Sequence, residues 1–345
     1  MASALLAAGS GRESLWLRRR YGAKFAWFLE AATATLVLVA ATAATFALQD
    51  SLWVIAALTV SFMGALFIAR RPIPLAAAMV VVFVGLTMSG PDTVYRERTF
   101  YGSYKVTEQD GVRKLAHGTT LHGSQFIGAN ATTPTTYYSR TGPVGDIFRE
   151  YDNFDDIAVV GLGTGTIAAY GEADQSLTFY EIDPKVVDIA RDPRFFTYLV
   201  DAAAKVQTEV GDGRLSLAGA AKGSYELIVL DAFSSDSIPV HLLTQEAFEV
   251  YADALAPDGV LMVHVSNRIF DLEPVVAGSG SHIGWAVAVG FGEADGDRAT
   301  PSEWIALAPS AKDLEPLLRL GNWRPARAET LLWTDDYSSV LTALR

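Results

Sequence analysis

The chain has 345 residues, half of them hydrophobic, and carries a formal net charge of −12. It holds no cysteine, which excludes disulfides and thiolate metal sites. Charge is uneven, with 9 Lys+Arg against 5 Asp+Glu in residues 1–98 and 18 against 34 in the remainder, so the larger part argues against nucleic acid and suits a small cationic substrate, although acidity also simply keeps a domain soluble.

Residues 1–20 form a polar tail ending in Arg18, Arg19 and Arg20. Three charge-free apolar segments follow at 31–48, 51–69 and 72–90, with 18, 19 and 19 residues. At 1.5 Å per residue each reaches roughly 27–29 Å, close to the ~30 Å of a hydrocarbon core. Region 21–90 is therefore expected to be helical and to cross the membrane, with lipids as partners and a multi-pass placement in the inner membrane. The basic tail and Arg70–Arg71 both favour the cytoplasmic side, which pairs the first two segments as a hairpin. A third full span would put the acidic part outside. That part is nevertheless expected in the cytoplasm, which requires either the Ala/Thr-rich first segment or the Pro-bounded third segment not to span fully.

Pro91–Val94 reads as a linker. Residues 91–150 carry short alternating runs and turn signals at Gly102, Asp110–Gly111, Gly118 and Gly123, which predict a small β-hairpin domain. Residues 151–345 alternate strand and helix patterns. Ile157–Val160 is an apolar run followed at once by Gly161, Gly163 and Gly165, and Ile167–Tyr170 is expected to open a helix. Glycines at such a turn let the backbone approach a ligand, and the amides of a helix start face it. About twenty residues on, Leu177–Tyr180 ends in Glu181, the spacing at which an acid grips ribose hydroxyls in an open α/β sheet. Asp212, followed by Gly213, ends a third unit, and Asp231 ends a fourth after Leu227–Leu230. Alone, the glycine turn need bind nothing. Aligned with these three acids it marks the carboxyl edge of a parallel sheet. The third fingerprint position is Thr166, which favours an adenosyl-sulfonium ligand over a dinucleotide.

Further along, Thr244–Leu255 predicts a helix and Gly259–Ser266 a strand after the Pro257–Gly259 turn. Ala277–Gly284 is rich in glycine and serine, which suggests a trimmed element where a crossover helix is expected. Trp285–Val289 and Trp304–Leu307 predict two last strands. The fold class is α/β: a Rossmann-like, methyltransferase-type parallel sheet over 151–345, preceded by the small β domain and the helical membrane region. Asp183, ahead of Pro184, suits a helix N-cap. His241 and His264 are expected to make local hydrogen bonds. His117 and His122 stand five residues apart with no third ligand suggested, so a metal site is not expected there.

The strings FYGSYKV, LAHGTTLHGSQ, TTYYSRTGP, VVGLGTGT, FYEIDP, GDGR, LDAFSSDSIPVHLLT, HVSNR and WTDDYSS, taken in order, resemble the spermidine synthase (polyamine aminopropyltransferase) family. The likeness is closest to its membrane-fused, spermidine synthase-like bacterial branch. It implies transfer of an aminopropyl group from decarboxylated S-adenosylmethionine to a polyamine such as putrescine, release of methylthioadenosine, no metal, and a homodimer. Asp231 matches the family's catalytic aspartate, which orients the amine and takes its proton. Tyr138, or its neighbour Tyr137, matches the tyrosine that helps it. The likeness assigns Gly161, Gly163 and Gly165 to the donor turn, Glu181 to the ribose, and Asp212 with Gly213 to adenine. It overlays His117, His122 and Gln125 on a substrate-contacting hairpin.

The family's second loop acid would fall at Ser234, and Asp236 is the next acid available. Asp335 and Asp336 read either as an acidic rim for the far amine or as a solvated turn. One departure bears on the donor. The family carries aspartate between the second and third glycines, and here that residue is Thr164. This leaves open a methyltransferase using intact S-adenosylmethionine. The altered loop and the region near Gly278 leave open a non-catalytic, membrane-tethered sensor of an adenosyl ligand.

Overall fold

The computed structural model describes residues 92–345, apart from 119, 153, 233–237 and 297, together with Gly22. The chain divides into two units, Met1–Pro91 and Asp92–Arg345. The three spans expected within 21–90 lie outside the described residues. Among the described residues no helix is long and apolar enough to cross a membrane. The multi-pass inner-membrane placement is corrected on that finding.

The second unit opens with an antiparallel sheet of four strands in chain order, β1 (Asp92–Arg98), β2 (Ser103–Gln109), β3 (Val112–His117) and β4 (Thr120–Phe126). Pro91–Val94 is not the expected linker, because β1 starts at Asp92 and pairs there with Glu108. The β2–β3 turn is the two-residue Asp110–Gly111, with φ of 51° and 76°. Both values are left-handed, as a tight hairpin of this hand requires, and Asp-Gly is the pair that tolerates them.

The larger sheet has eight strands. They are β5 (Asp156–Val160), β6 (Ser176–Glu181), β7 (Lys205–Val210), β8 (Tyr225–Leu230), β9 (Leu255–His264), β10 (Ala286–Gly292), β11 (Ser302–Ala308) and β12 (Trp323–Pro325). Their order is β12-β10-β11-β9-β8-β5-β6-β7. The five strands from β7 to β9 run parallel, and β11 then pairs antiparallel with β9. The chain lays β6 and β7 on one side of β5 and then crosses to lay β8 on the other. That reversal opens a crevice at the carboxyl ends of β5 and β8.

Side chains alternate across this sheet, and both faces are covered, so the central strands read as continuous apolar runs. One face buries Ile157, Val159, Phe179, Leu227, Val229 and Met262 against the four-stranded sheet, helix α1 (Pro143–Glu150) and helix α2 (Pro184–Arg191). The other buries Ala158, Val160, Ile228, Leu230, Leu261 and Val263 under α3 (Gly213–Ala218), α4 (Gln245–Ala254) and α5 (Glu273–His282). Each fully buried aliphatic contributes about 1.5–3 kcal/mol, so the ends of these strands are firmly placed.

Two expected elements differ. Thr166–Tyr170 is a short 3-10 turn rather than a helix start, entered through left-handed Gly165. Ala277–Gly284 is not trimmed, because α5 continues through it to His282. Its glycines reflect close packing: a Cβ on Gly278 would meet the Leu331 backbone, and one on Gly280 the Leu307 side chain.

Candidate active site

Four strand ends converge on one cleft of about 230 Å³. The turn after β5 contributes Gly161 and Gly163, β6 contributes Glu181, the start of α3 contributes Asp212 and Gly213, and β8 leads into Asp231. The four-stranded sheet covers them with Tyr104, His117 and His122. Gly161 has φ +96°, and a Cβ there would meet the carbonyl of Asp231. Gly163 has φ +54° and lies so near the His122 carbonyl that no side chain fits. These glycines thus let β5, β8 and the cover close on one another as well as on a ligand. Gly165 packs on Leu199 and does not line the cleft.

Glu181 is 8% exposed. Its carboxylate accepts the backbone N–H of Leu162 and that of Asp183, each at 3.0 Å. Burial raises its pKa, and the amide hydrogen bonds only partly offset that. Each oxygen keeps a second lone pair for a ligand hydroxyl. Beside it Ile182, 44% exposed, offers an apolar face to the cleft. An acid beside an apolar platform and a glycine-lined turn fits a nucleoside. Asp183 caps α2 as expected, accepting from the Lys185 N–H at 2.9 Å, and it also receives the Thr99 hydroxyl at 2.6 Å. Asp212 caps α3 through the Leu215 N–H at 3.0 Å and faces His241 Nε2 at 3.0 Å.

Asp231 is held at both carboxylate oxygens. Its side chain is 6% exposed. The Tyr138 hydroxyl donates to Oδ2, and His264 Nδ1 faces Oδ1 at 2.7 Å. Burial works against its charge. The His264 imidazole and the hydrogen bonds from His264 and Tyr138 outweigh that, so the carboxyl titrates below its ordinary range. Burial, followed by the charge of Asp231, pushes the Tyr137 and Tyr138 phenols well up, so both stay protonated. Tyr137 stacks on the His264 ring with centroids 4.4 Å apart. Both tyrosines leave a turn whose first residue, Thr136, has φ +59°.

His264 gave one sequence signal, as the last residue of the apolar run VLMVH. The register supplies the rest. β9 pairs parallel with β8, Leu230 opposite Val263, so the next residues, Asp231 and His264, emerge side by side. The placing of His122 is also a matter of register. Leu115 pairs with Gly123 and Ala116 with Leu121, so His122 is the extra residue of a β-bulge. The bulge brings its ring to 5.7 Å from that of His117. Burial lowers the pKa of His122 to about 4, and its buried Nε2 has no hydrogen-bond partner.

Other expected contacts fall elsewhere. The amide of Gln125 is taken by Thr197 and the Ala131 carbonyl, at 2.8–2.9 Å, so its substrate-binding assignment is corrected to a structural tie. Asp335 is held by Arg214 through two bonds of 2.7 Å and lies outside the cleft lining, which corrects the acidic rim. The Arg214 hydrogen bond lowers its pKa to about 2. Asp336 is exposed and also outside the lining. Asp236 lies outside the described residues. Thr164 is buried, and its hydroxyl meets that of Thr166 at 2.8 Å. A larger hollow of about 850 Å³ opens beside Asp146 and Arg324. Three of its charged groups are already paired: Asp146 accepts from Arg149, Asn322 and Trp323, and Arg324 holds Glu273.

A protein named probable polyamine aminopropyl transferase from Bifidobacterium longum (strain NCC 2705) is 32% identical over 123 residues, 35% of this chain and 26% of that protein. A polyamine aminopropyltransferase from Vibrio vulnificus (strain CMCP6) is 33% identical over 124 residues, 34% of this chain and 40% of that protein. The chain thus spans about a quarter and two-fifths of the length of these relatives. The crystal structure of a probable spermidine synthase from Corynebacterium glutamicum ATCC 13032 matches with a TM-score of 0.53 at 14% identity, covering 72% of this chain and 99% of that one. At that identity the likeness is one of fold. No protein-family model matches the chain.

Proposed function

We propose that this spermidine synthase-like chain transfers an aminopropyl group from decarboxylated S-adenosylmethionine to a small polyamine such as putrescine. The acceptor nitrogen attacks the methylene beside the sulfonium. The carbon–sulfur bond breaks with its electron pair on sulfur, and neutral methylthioadenosine leaves. The acceptor amine is protonated at pH 7, and with a pKa of about 10.4 its deprotonation costs roughly 4–5 kcal/mol. Asp231 takes that proton, and Tyr138 orients it.

The observation that carries this reading is a buried carboxylate kept ionised by Tyr138 and His264 in the cleft that Glu181 and the glycine turn also line. Glu181 grips the ribose, and Asp212 faces the adenine side. The test is incubation of the purified protein with putrescine and either decarboxylated or intact S-adenosylmethionine, followed by mass spectrometry. Methylthioadenosine and spermidine from the decarboxylated donor alone are expected. S-adenosylhomocysteine from the intact donor would overturn the proposal and favour a methyltransferase, the reading left open by Thr164 standing where the family carries aspartate.

A further inference from the structure

Asp231 is held from two sides, and the second side leads away from the cleft. His264 Nδ1 lies 2.7 Å from Asp231 Oδ1, and its Nε2 lies 2.7 Å from the Ser266 hydroxyl. The Ser266 oxygen accepts the Glu303 backbone N–H at 2.8 Å, so the hydroxyl hydrogen must be donated elsewhere. The Glu303 carbonyl is a poor recipient. It lies 3.5 Å from Ser266 and already accepts the Val265 N–H at 2.9 Å. Nε2, 2.7 Å away, is the nearest protein acceptor in its reach, solvent being the other recipient open to this exposed hydroxyl. A neutral imidazole that accepts at Nε2 carries its hydrogen on Nδ1, the nitrogen facing the carboxylate. The ring cannot turn freely, because it is stacked on Tyr137 and on Trp304 with centroids 4.4 and 4.6 Å away.

We propose that His264 is a positioning residue for Asp231, with its tautomer fixed by Ser266. The chain of donors runs from the Glu303 amide through Ser266 and His264 to Oδ1, while Tyr138 holds Oδ2. The carboxylate is thereby fixed in plane, and its remaining lone pairs face the cleft. The connectivity is that of a Ser-His-Asp triad, but the placement is inverted. The acid lines the cleft, the serine does not, and the serine oxygen is already capped by an amide. This inference rests on the reading of Asp231 as proton acceptor.

The experiment pairs histidine-ring ¹⁵N NMR with steady-state kinetics of wild type, S266A, H264A and H264N. NMR of the wild-type protein is expected to show His264 as the Nδ1–H tautomer, and S266A to lose that preference. Ser266 is exposed, so S266A should fold normally. Its kcat should fall about tenfold with donor KM unchanged. H264A should lose roughly hundredfold in kcat, and H264N, whose amide can donate from the place of Nδ1, should recover about tenfold of that. An Nε2–H tautomer in the wild type, wild-type kcat in both S266A and H264A, or labelling of Ser266 by a fluorophosphonate would each overturn the proposal. The tautomer is read without turnover, so an absence of aminopropyl transfer would defeat the functional reading and leave this one to stand or fall by NMR.

Discussion

Glu181 and Asp231 end strands on either side of β5, face one cleft and are both nearly buried, yet their carboxyls are shifted in opposite directions. Burial raises both. Glu181 has only neutral backbone amides to offset it, and they do not suffice. Asp231 has an imidazole and a phenol, and they do. The strand end decides where a carboxylate stands, and its side-chain partners decide whether it stays charged. The Glu181 side of the cleft is thus the side that loses its charge first on acidification.

The largest expected effect is at Asp231. D231N keeps the shape and removes the charge, and methylthioadenosine formation should fall by about 10³-fold or more. Retention within tenfold would end the distinction between the two carboxylates.

His122 comes next. Its folded pKa of about 4 lies below the ~6.5 of an exposed histidine, so the unfolded chain binds the proton first as pH falls. The sign is a loss of stability between about pH 6.5 and 4, approaching roughly 3 kcal/mol at the lower end. H122Q should flatten that part of the pH dependence in urea titrations, and a slope equal to wild type would refute the assignment.

Glu181 sharpens the comparison further. Donor binding by calorimetry should weaken, as pH falls, at a higher pH than an ordinary glutamate would dictate, whereas the acid limb of kcat from Asp231 should lie lower than usual. E181Q should bind the donor about 10–30-fold more weakly and without that pH dependence. The smallest effect is at Thr164. T164D restores the aspartate that the resemblance places at this position and should raise the preference for decarboxylated over intact donor about tenfold in kcat/KM; an unchanged ratio would show that this position does not read the tail.

Much of this was legible in the sequence. An apolar run that stops at an acid is a strand end, and four such stops in order place one crevice. The Asp-Gly hairpin and the Asp183 cap were equally plain, because their chemistry is local. What escaped depends on pairing between distant segments. Asp335 became an ion-pair partner only through Arg214, 121 residues away. Gln125 and His122 stand in one string, but a bulge directs one to the cleft and leaves the other tied to Thr197. His264 gained its role from the neighbour that the β8–β9 register gave it. The glycines of α5 misled because small residues serve close packing as readily as they break helices.

Thr136 carries a further consequence. It is a β-branched residue in a left-handed conformation, which costs on the order of 1 kcal/mol or more, and it immediately precedes the two tyrosines that steady Asp231 and His264. Selection for heat resistance alone would find this position early, since T136N or T136G relieves the torsion and should raise Tm by roughly 2–4 °C. The same exchange would slacken the tyrosine pair, so thermal tolerance and turnover would be expected to part company at a single buried threonine.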